Sequence, residues 1–153
     1  VAFGKFFKLS NEAIKRGIEA YIPQNNRSQL VQWGSNTVLL DAYNANPSSM
    51  AAAIDNLLTM SDEKKKVLIL GDMFELGNYA AEEHQRIVDK LKNYEWEGVY
   101  LVGSNFAKTQ SPYPQYETFE AFKEVFPTLS FNNCLLLIKG SRGMALERLI
   151  QVK

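Results

Sequence analysis

The chain has 153 residues, an apolar fraction of 46% and a charged fraction of 22%, which are the proportions of a globular protein of one ordinary domain, or of one domain plus part of another. Seventeen basic and seventeen acidic side chains cancel, so no surplus of charge argues for nucleic acid or a membrane surface as partner. A lone cysteine, Cys134, excludes a disulfide within the chain and fits a reducing compartment; no signal peptide is read, and no apolar run approaches the length of a membrane span.

Val1 to Phe7 is apolar and aromatic, and Ser10 is placed to cap a helix from Asn11 to about Tyr21, with Ala13, Ile14, Gly17, Ile18 and Tyr21 on one face. Val1 opens partway into an apolar pattern without a cap, as expected of a piece of a longer protein. Pro23 ends the helix, and the polar run from Gln24 to Ser28 reads as a linker, dividing residues 1–25 from residues 26–153. Gln29 to Trp33 and Thr37 to Asp41 then read as a hairpin around Gly34-Ser35-Asn36. Pro47 opens a helix to about Met60, with Met50, Ala53, Ile54 and Leu57 on its face. Lys66 to Gly71, Val99 to Gly103 and Leu135 to Gly140 are continuous apolar runs, the signature of strands buried on both faces. Helices are expected over Ala80 to Tyr94, Phe119 to Phe126 and Met144 to Ile150. The alternation predicts an α/β fold, a Rossmann-like, mostly parallel, doubly wound sheet flanked by helices.

Ligands of such sheets bind beyond the carboxyl ends of the strands. Four loops qualify: DAYNANPSS from Asp41, GDMFELG from Gly71, GSNF from Gly103 and KGSRG from Lys139. Asp41 reads equally as a ribose or metal ligand and as a turn carboxylate. Asn44 and Asn46 suit a sugar or phosphate, though alone they read better as the turn before Pro47. Lys139 and Arg142 bracket glycines ahead of a helix, an arrangement that favours anions. Asp72 and Glu75 read either as partners of a substrate amine or as caps of the next helix. His84, among Glu82, Glu83, Gln85 and Arg86, reads as a solvated or edge residue rather than a metal ligand, there being no second histidine or cysteine pair to complete a zinc site. No G-x-x-x-x-G-K-[ST] loop, no G-x-G-x-x-G after the first strand and no G-x-S-x-G elbow occurs, which argues against a phosphate loop, dinucleotide binding and a serine hydrolase within this chain.

Taken in order, D-A-Y-N-A-N-P-x-S-M, L-G-D-M-x-E-L-G, an E-x-H in the following helix and K-G-S-R-G-M-x-L-E resemble the C-terminal domain of MurF within the Mur ligase superfamily, from about Asn26 to the end. The resemblance implies part of a cytoplasmic, ATP-dependent amide ligase of peptidoglycan synthesis, which joins D-Ala-D-Ala to UDP-N-acetylmuramoyl-tripeptide through an acyl phosphate. It implies that residues 1–25 are the last helices of a central ATPase domain. That domain and a further N-terminal one would be partners within the same chain, the central one holding the phosphate loop, the Mg2+ ligands and a modified lysine. By the same resemblance Arg27, Asp41, Tyr43, Asn44 and Asn46 face the nucleotide, and Lys139, Gly140, Ser141 and Arg142 lie beside the dipeptide, with Arg142 on its carboxylate. Asp72 and Glu75 orient the amine, and the piece alone is expected to be inactive. The linker reads N-N-R where many relatives have G-R. Another Mur-superfamily amide ligase and a non-catalytic α/β module for a phosphorylated ligand or a protein partner remain as alternatives.

Overall fold

The computed structural model describes residues 1–21, 25–60 and 63–150. Two short helices, α1 (Ala2–Phe6) and α2 (Asn11–Glu19), precede a six-stranded sheet. Its strands are β1 (Gln29–Trp33), β2 (Asn36–Asp41), β3 (Lys65–Gly71), β4 (Gly98–Val102), β5 (Gln115–Tyr116) and β6 (Cys134–Lys139), in the spatial order β1-β2-β6-β3-β4-β5. Only β1 runs antiparallel to its neighbour; the other pairings are parallel. Gly34, at φ +58°, makes the tight β1–β2 turn that a side chain would resist, and Trp33 pairs with Asn36 across it. The expected hairpin and the three buried strands are therefore present, together with β5, a two-residue edge strand.

Period-two alternation sorts the strand side chains into two cores. Leu39, Leu68, Leu70, Leu101, Leu135 and Leu137 face α3 (Pro47–Thr59) and α4 (Ala80–Leu91), meeting Ile54, Leu57, Val88 and Leu91. Val38, Leu40, Val67, Ile69, Leu136 and Ile138 face the other way, against Phe119 and Phe122 of α5 (Phe119–Val125) and Leu146 and Leu149 beyond β6. With both faces covered, parallel strands read as unbroken apolar runs.

Three expectations need correcting. The helix expected over Met144 to Ile150 is instead two 3-10 turns, Arg142–Met144 and Leu146–Leu149, separated by Ala145 in the left-handed region at φ +46°. The three-residue period of the second turn puts Leu146 and Leu149 on one side, and Leu146 lies against Gly71 and Gly140, where β3 and β6 come together. Second, α4 stops at Leu91, where Lys92, Asn93 and Tyr94 close the turn through backbone bonds to Val88, Lys90 and Leu91. Third, His84 is not solvated: it is fully buried. In the N-terminal part α2 ends at Glu19, with Ala20 as its C-cap; the Pro23 stop lies outside the described residues.

Asn46 caps α3: its side chain accepts from Ser49 N–H at 2.8 Å while Ser49 Oγ accepts from Asn46 N–H at 3.1 Å, with Pro47 at the first helical position. Asn46→Ala should cost about 1 kcal/mol in denaturant unfolding, and Asn46→Ser, which can still cap, less than half of that.

Candidate functional site

The carboxyl ends of β2, β6 and β3 are adjacent in the sheet, and the loops they carry enclose a cleft of about 430 Å³. Tyr43, Asn44, Ala45 and Asn46 form one side, Phe74, Glu75 and Leu76 the opposite side, and Ser141, Arg142 and Gly143 the third. Tyr43, Asn44 and Asn46, expected to face a nucleotide, and Glu75, Ser141 and Arg142, expected beside a dipeptide, thus line one hollow, whereas Arg27, Asp41, Asp72, Lys139 and Gly140 do not line it. Phe74, Leu76 and Gly143 also line it, without having been singled out from the sequence.

Arg27 and Tyr43 meet through the backbone. Tyr43 N–H donates to Asn26 O at 3.1 Å, and the Arg27 guanidinium lies 3.6 Å from the Tyr43 ring centroid. Asn26 sits at φ +58°, a conformation that asparagine tolerates and glycine adopts freely, so N-N-R does not of itself demand a different backbone from G-R. Arg142 approaches the same ring at 6.0 Å, so two guanidiniums attend one phenol. Arg142 also donates to Glu147 Oε1 at 3.3 Å, while its side chain stays 62% exposed and able to take an anion.

Lys139 and Asp41 differ from their expected placement. Lys139 is 2% exposed; its ammonium is 2.5 Å from Asp41 Oδ2 and donates to Asn44 O at 3.1 Å. It lies beneath the cleft rather than in it. Asp41 also accepts from Ser28 N–H at 2.9 Å, which holds the linker to the end of β2. Asp41 and Lys139 therefore bind each other across β2 and β6 and shape the loops above them.

Asp72 is corrected as well. Its carboxylate is buried and accepts from Asn105 N–H and Phe106 N–H, each at 2.9 Å, fixing the turn after β4. A carboxylate held this way caps a loop and is not free to orient an amine. Glu75 remains exposed on the cleft wall, at φ +64°, a conformation uncommon for a residue with a side chain. Ser141 is buried; its Oγ accepts from Phe74 N–H at 2.8 Å and so ties the KGSRG loop to the cleft wall. Gly140 suits a crowded position, since a Cβ there would stand 3.1 Å from Gly71 Cα and from Leu146 Cδ1.

The shifted ionisations lie away from the cleft: burial raises the phenol pKa of Tyr100 and of Tyr113, and a hydrogen bond from Lys92 lowers that of Asp89. Among the described residues no three His, Cys, Asp or Glu side chains converge to hold a metal, and no helix is long and apolar enough to cross a membrane. Chemically, the cleft offers guanidinium, carboxamide, hydroxyl and aromatic groups, a combination suited to binding and orienting a polar anion.

Residues 26–142 match the family described as Mur ligase, glutamate ligase domain. The UDP-N-acetylmuramoyl-tripeptide–D-alanyl-D-alanine ligase of Treponema pallidum is 38% identical over 150 residues, covering 92% of this chain and 32% of that protein. The enzyme of the same name from Bacillus subtilis is 28% identical, covering 99% of this chain and 35% of its own length. Among solved structures, MurF from Acinetobacter baumannii superposes with a TM-score of 0.77 at 27% identity, over 97% of this chain and 34% of that one. MurF ligase from Thermotoga maritima in complex with ADP superposes at 0.80 with 20% identity, over 98% of this chain and 35% of that one, a likeness of fold. The chain spans about a third of the length of the curated relatives it matches.

Proposed function

We propose, from the premise that this chain belongs to the Mur ligase family, that it is the C-terminal domain of an ATP-dependent ligase joining D-Ala-D-Ala to UDP-N-acetylmuramoyl-tripeptide. In that reaction the tripeptide carboxylate attacks the γ-phosphorus of ATP and ADP departs. The dipeptide amine then attacks the acyl phosphate, loses a proton, and phosphate leaves as the amide forms. The observation that carries the reading is the shared cleft, with Arg27 and Arg142 flanking Tyr43 at its mouth.

In this scheme Arg27, Tyr43 and Asn44 meet the nucleotide, the guanidinium countering phosphate charge. Asp41 acts at one remove by holding Lys139 under the loop, and Asn46 by anchoring the loop to α3. Arg142 takes the dipeptide carboxylate, for which a guanidinium offers two parallel donors. Glu75 stands on the amine side, and Ser141 holds the wall between them. Mg2+ is assigned no ligand here, because Asp41 and Asp72 are already engaged and no acidic cluster converges among the described residues. Its ligands, like the phosphate loop, are assigned to the preceding domain.

Residues 1–25 fit as the end of that domain: Phe3, Phe6, Ile18 and Tyr21 are 82%, 79%, 56% and 68% exposed, an apolar surface of the kind an adjoining domain covers. UDP-linked and ATP substrates place the whole enzyme in the cytoplasm. The full-length protein should turn over ATP continuously only when tripeptide and dipeptide substrates are both present, whereas residues 1–153 alone should release no ADP; product from the piece alone would refute the division of labour. In the full-length enzyme Arg27→Ala should raise KM for ATP about tenfold and Arg142→Ala that for D-Ala-D-Ala about tenfold. Equal effects of both changes on both substrates would overturn the assignment of loops to ligands.

A further inference from the structure

We propose that His84 is a positioning residue for the segment Asp72–Leu76 that carries the cleft wall Phe74–Leu76, holding it from behind through a backbone amide; the functional side of this claim rests on the ligase reading above. His84 lies on the inner face of α4 with Ile87, Val88 and Leu91, and is 0% exposed. Its Nε2 accepts from Met73 N–H at 3.0 Å. The ring proton therefore sits on Nδ1 and is donated to Ala80 O at 2.6 Å, one turn back in the same helix. Asp72 Oδ1 is 3.6 Å from Nε2, too far for a hydrogen bond, and already accepts from Phe106 N–H. The ring also packs edge-on against Phe106, at 4.7 Å and 83°. One imidazole thus touches the cleft wall, its own helix and the turn after β4.

The wall is held from two sides at successive residues. Met73 N–H is bonded inward to His84, and Phe74 N–H across to Ser141 Oγ at 2.8 Å. Immediately beyond, Glu75 and Gly77 take left-handed conformations at φ +64° and +53°. Such a conformation at glutamate is unfavourable and persists where neighbouring contacts over-determine it. Packing alone would be met by leucine. An acceptor aimed at a buried backbone amide serves the loop, and with it the Phe74, Glu75 and Leu76 side of the cleft.

The test uses the full-length enzyme with His84→Leu, which keeps bulk and loses the acceptor, and His84→Gln, whose carbonyl oxygen can reach Met73 N–H. His84→Leu should raise KM for D-Ala-D-Ala about tenfold and leave KM for ATP within about twofold, as expected when a buried amide loses its partner. Hydrogen exchange of the Met73–Leu76 amides should quicken about tenfold in the same variant, and His84→Gln should recover most of both changes. A loss of active protein with both KM values unchanged, or a glutamine variant no better than leucine, would overturn the proposal. Should His84→Leu fail to fold, His84→Asn replaces it: its shorter amide cannot reach Met73, so a glutamine variant that still matched it would refute the pin. Wild-type enzyme that forms no product would instead refute the ligase reading, while the exchange comparison still decides whether His84 holds the wall.

Discussion

Asp41→Asn should lower the unfolding free energy by about 3 kcal/mol, because it leaves the Lys139 ammonium buried without its counter-charge. Asparagine preserves the shape of the site and the acceptor for Ser28 N–H, so the loss isolates the charge. The converse change should be milder. Lys139→Met removes the 2%-exposed ammonium itself and leaves Asp41, 19% exposed, in contact with water and with Ser28 N–H, at a cost of about 1 kcal/mol. Denaturant unfolding of the two variants measures the asymmetry. A lysine variant that proves the less stable of the two would show that the ammonium is not the costly partner.

Gly103→Ala should cost at least about 3 kcal/mol, a large share of the roughly 5–15 kcal/mol by which a domain is stable. A Cβ at Gly103 would stand 2.2 Å from Asp72 Cγ and 2.5 Å from both carboxylate oxygens, at φ +127°. Relief requires moving the carboxylate that caps Asn105 and Phe106, with Asp72 buried and unable to tilt into water. Gly34→Ala supplies the control. Its φ of +58° is also unfavourable for alanine, yet nothing lies within 4 Å, so only the backbone cost of about 1 kcal/mol remains. Equal thermal stabilities for the two alanine variants would mean that the Asp72 collision is absent.

The contrast between Asp72 and Arg142 shows how far residue patterns reach. Local periodicity marked β3, β4 and β6 because strands buried on both faces cannot hide their composition, and each begins one residue earlier than expected. The cleft was legible because the residues that line it sit at strand ends, where the topology fixes their place. What each polar side chain does there was less legible. Asp72 caps amides 33 and 34 residues away, and Lys139 pairs with a carboxylate 98 residues away; neither partner is visible in a local window. His84 carried a signal in the spacing to Ile87, Val88 and Leu91, three, four and seven positions on, which puts it on the apolar face of α4. Its charged sequence neighbours pointed the other way. The final turns escaped notice because MALERLI has helical composition, while the seat of Leu146 between Gly71 and Gly140 is set by tertiary contact.

The Asp41–Lys139 pair has a mechanical consequence. It clasps the end of β2 to the end of β6, and Ser141 fastens the same corner to the segment after β3. The three lips of the hollow are therefore coupled as a single jaw. On the proposed ligase reading, alignment toward one reactant sets alignment toward the other, so a slackened clasp would blur both at once.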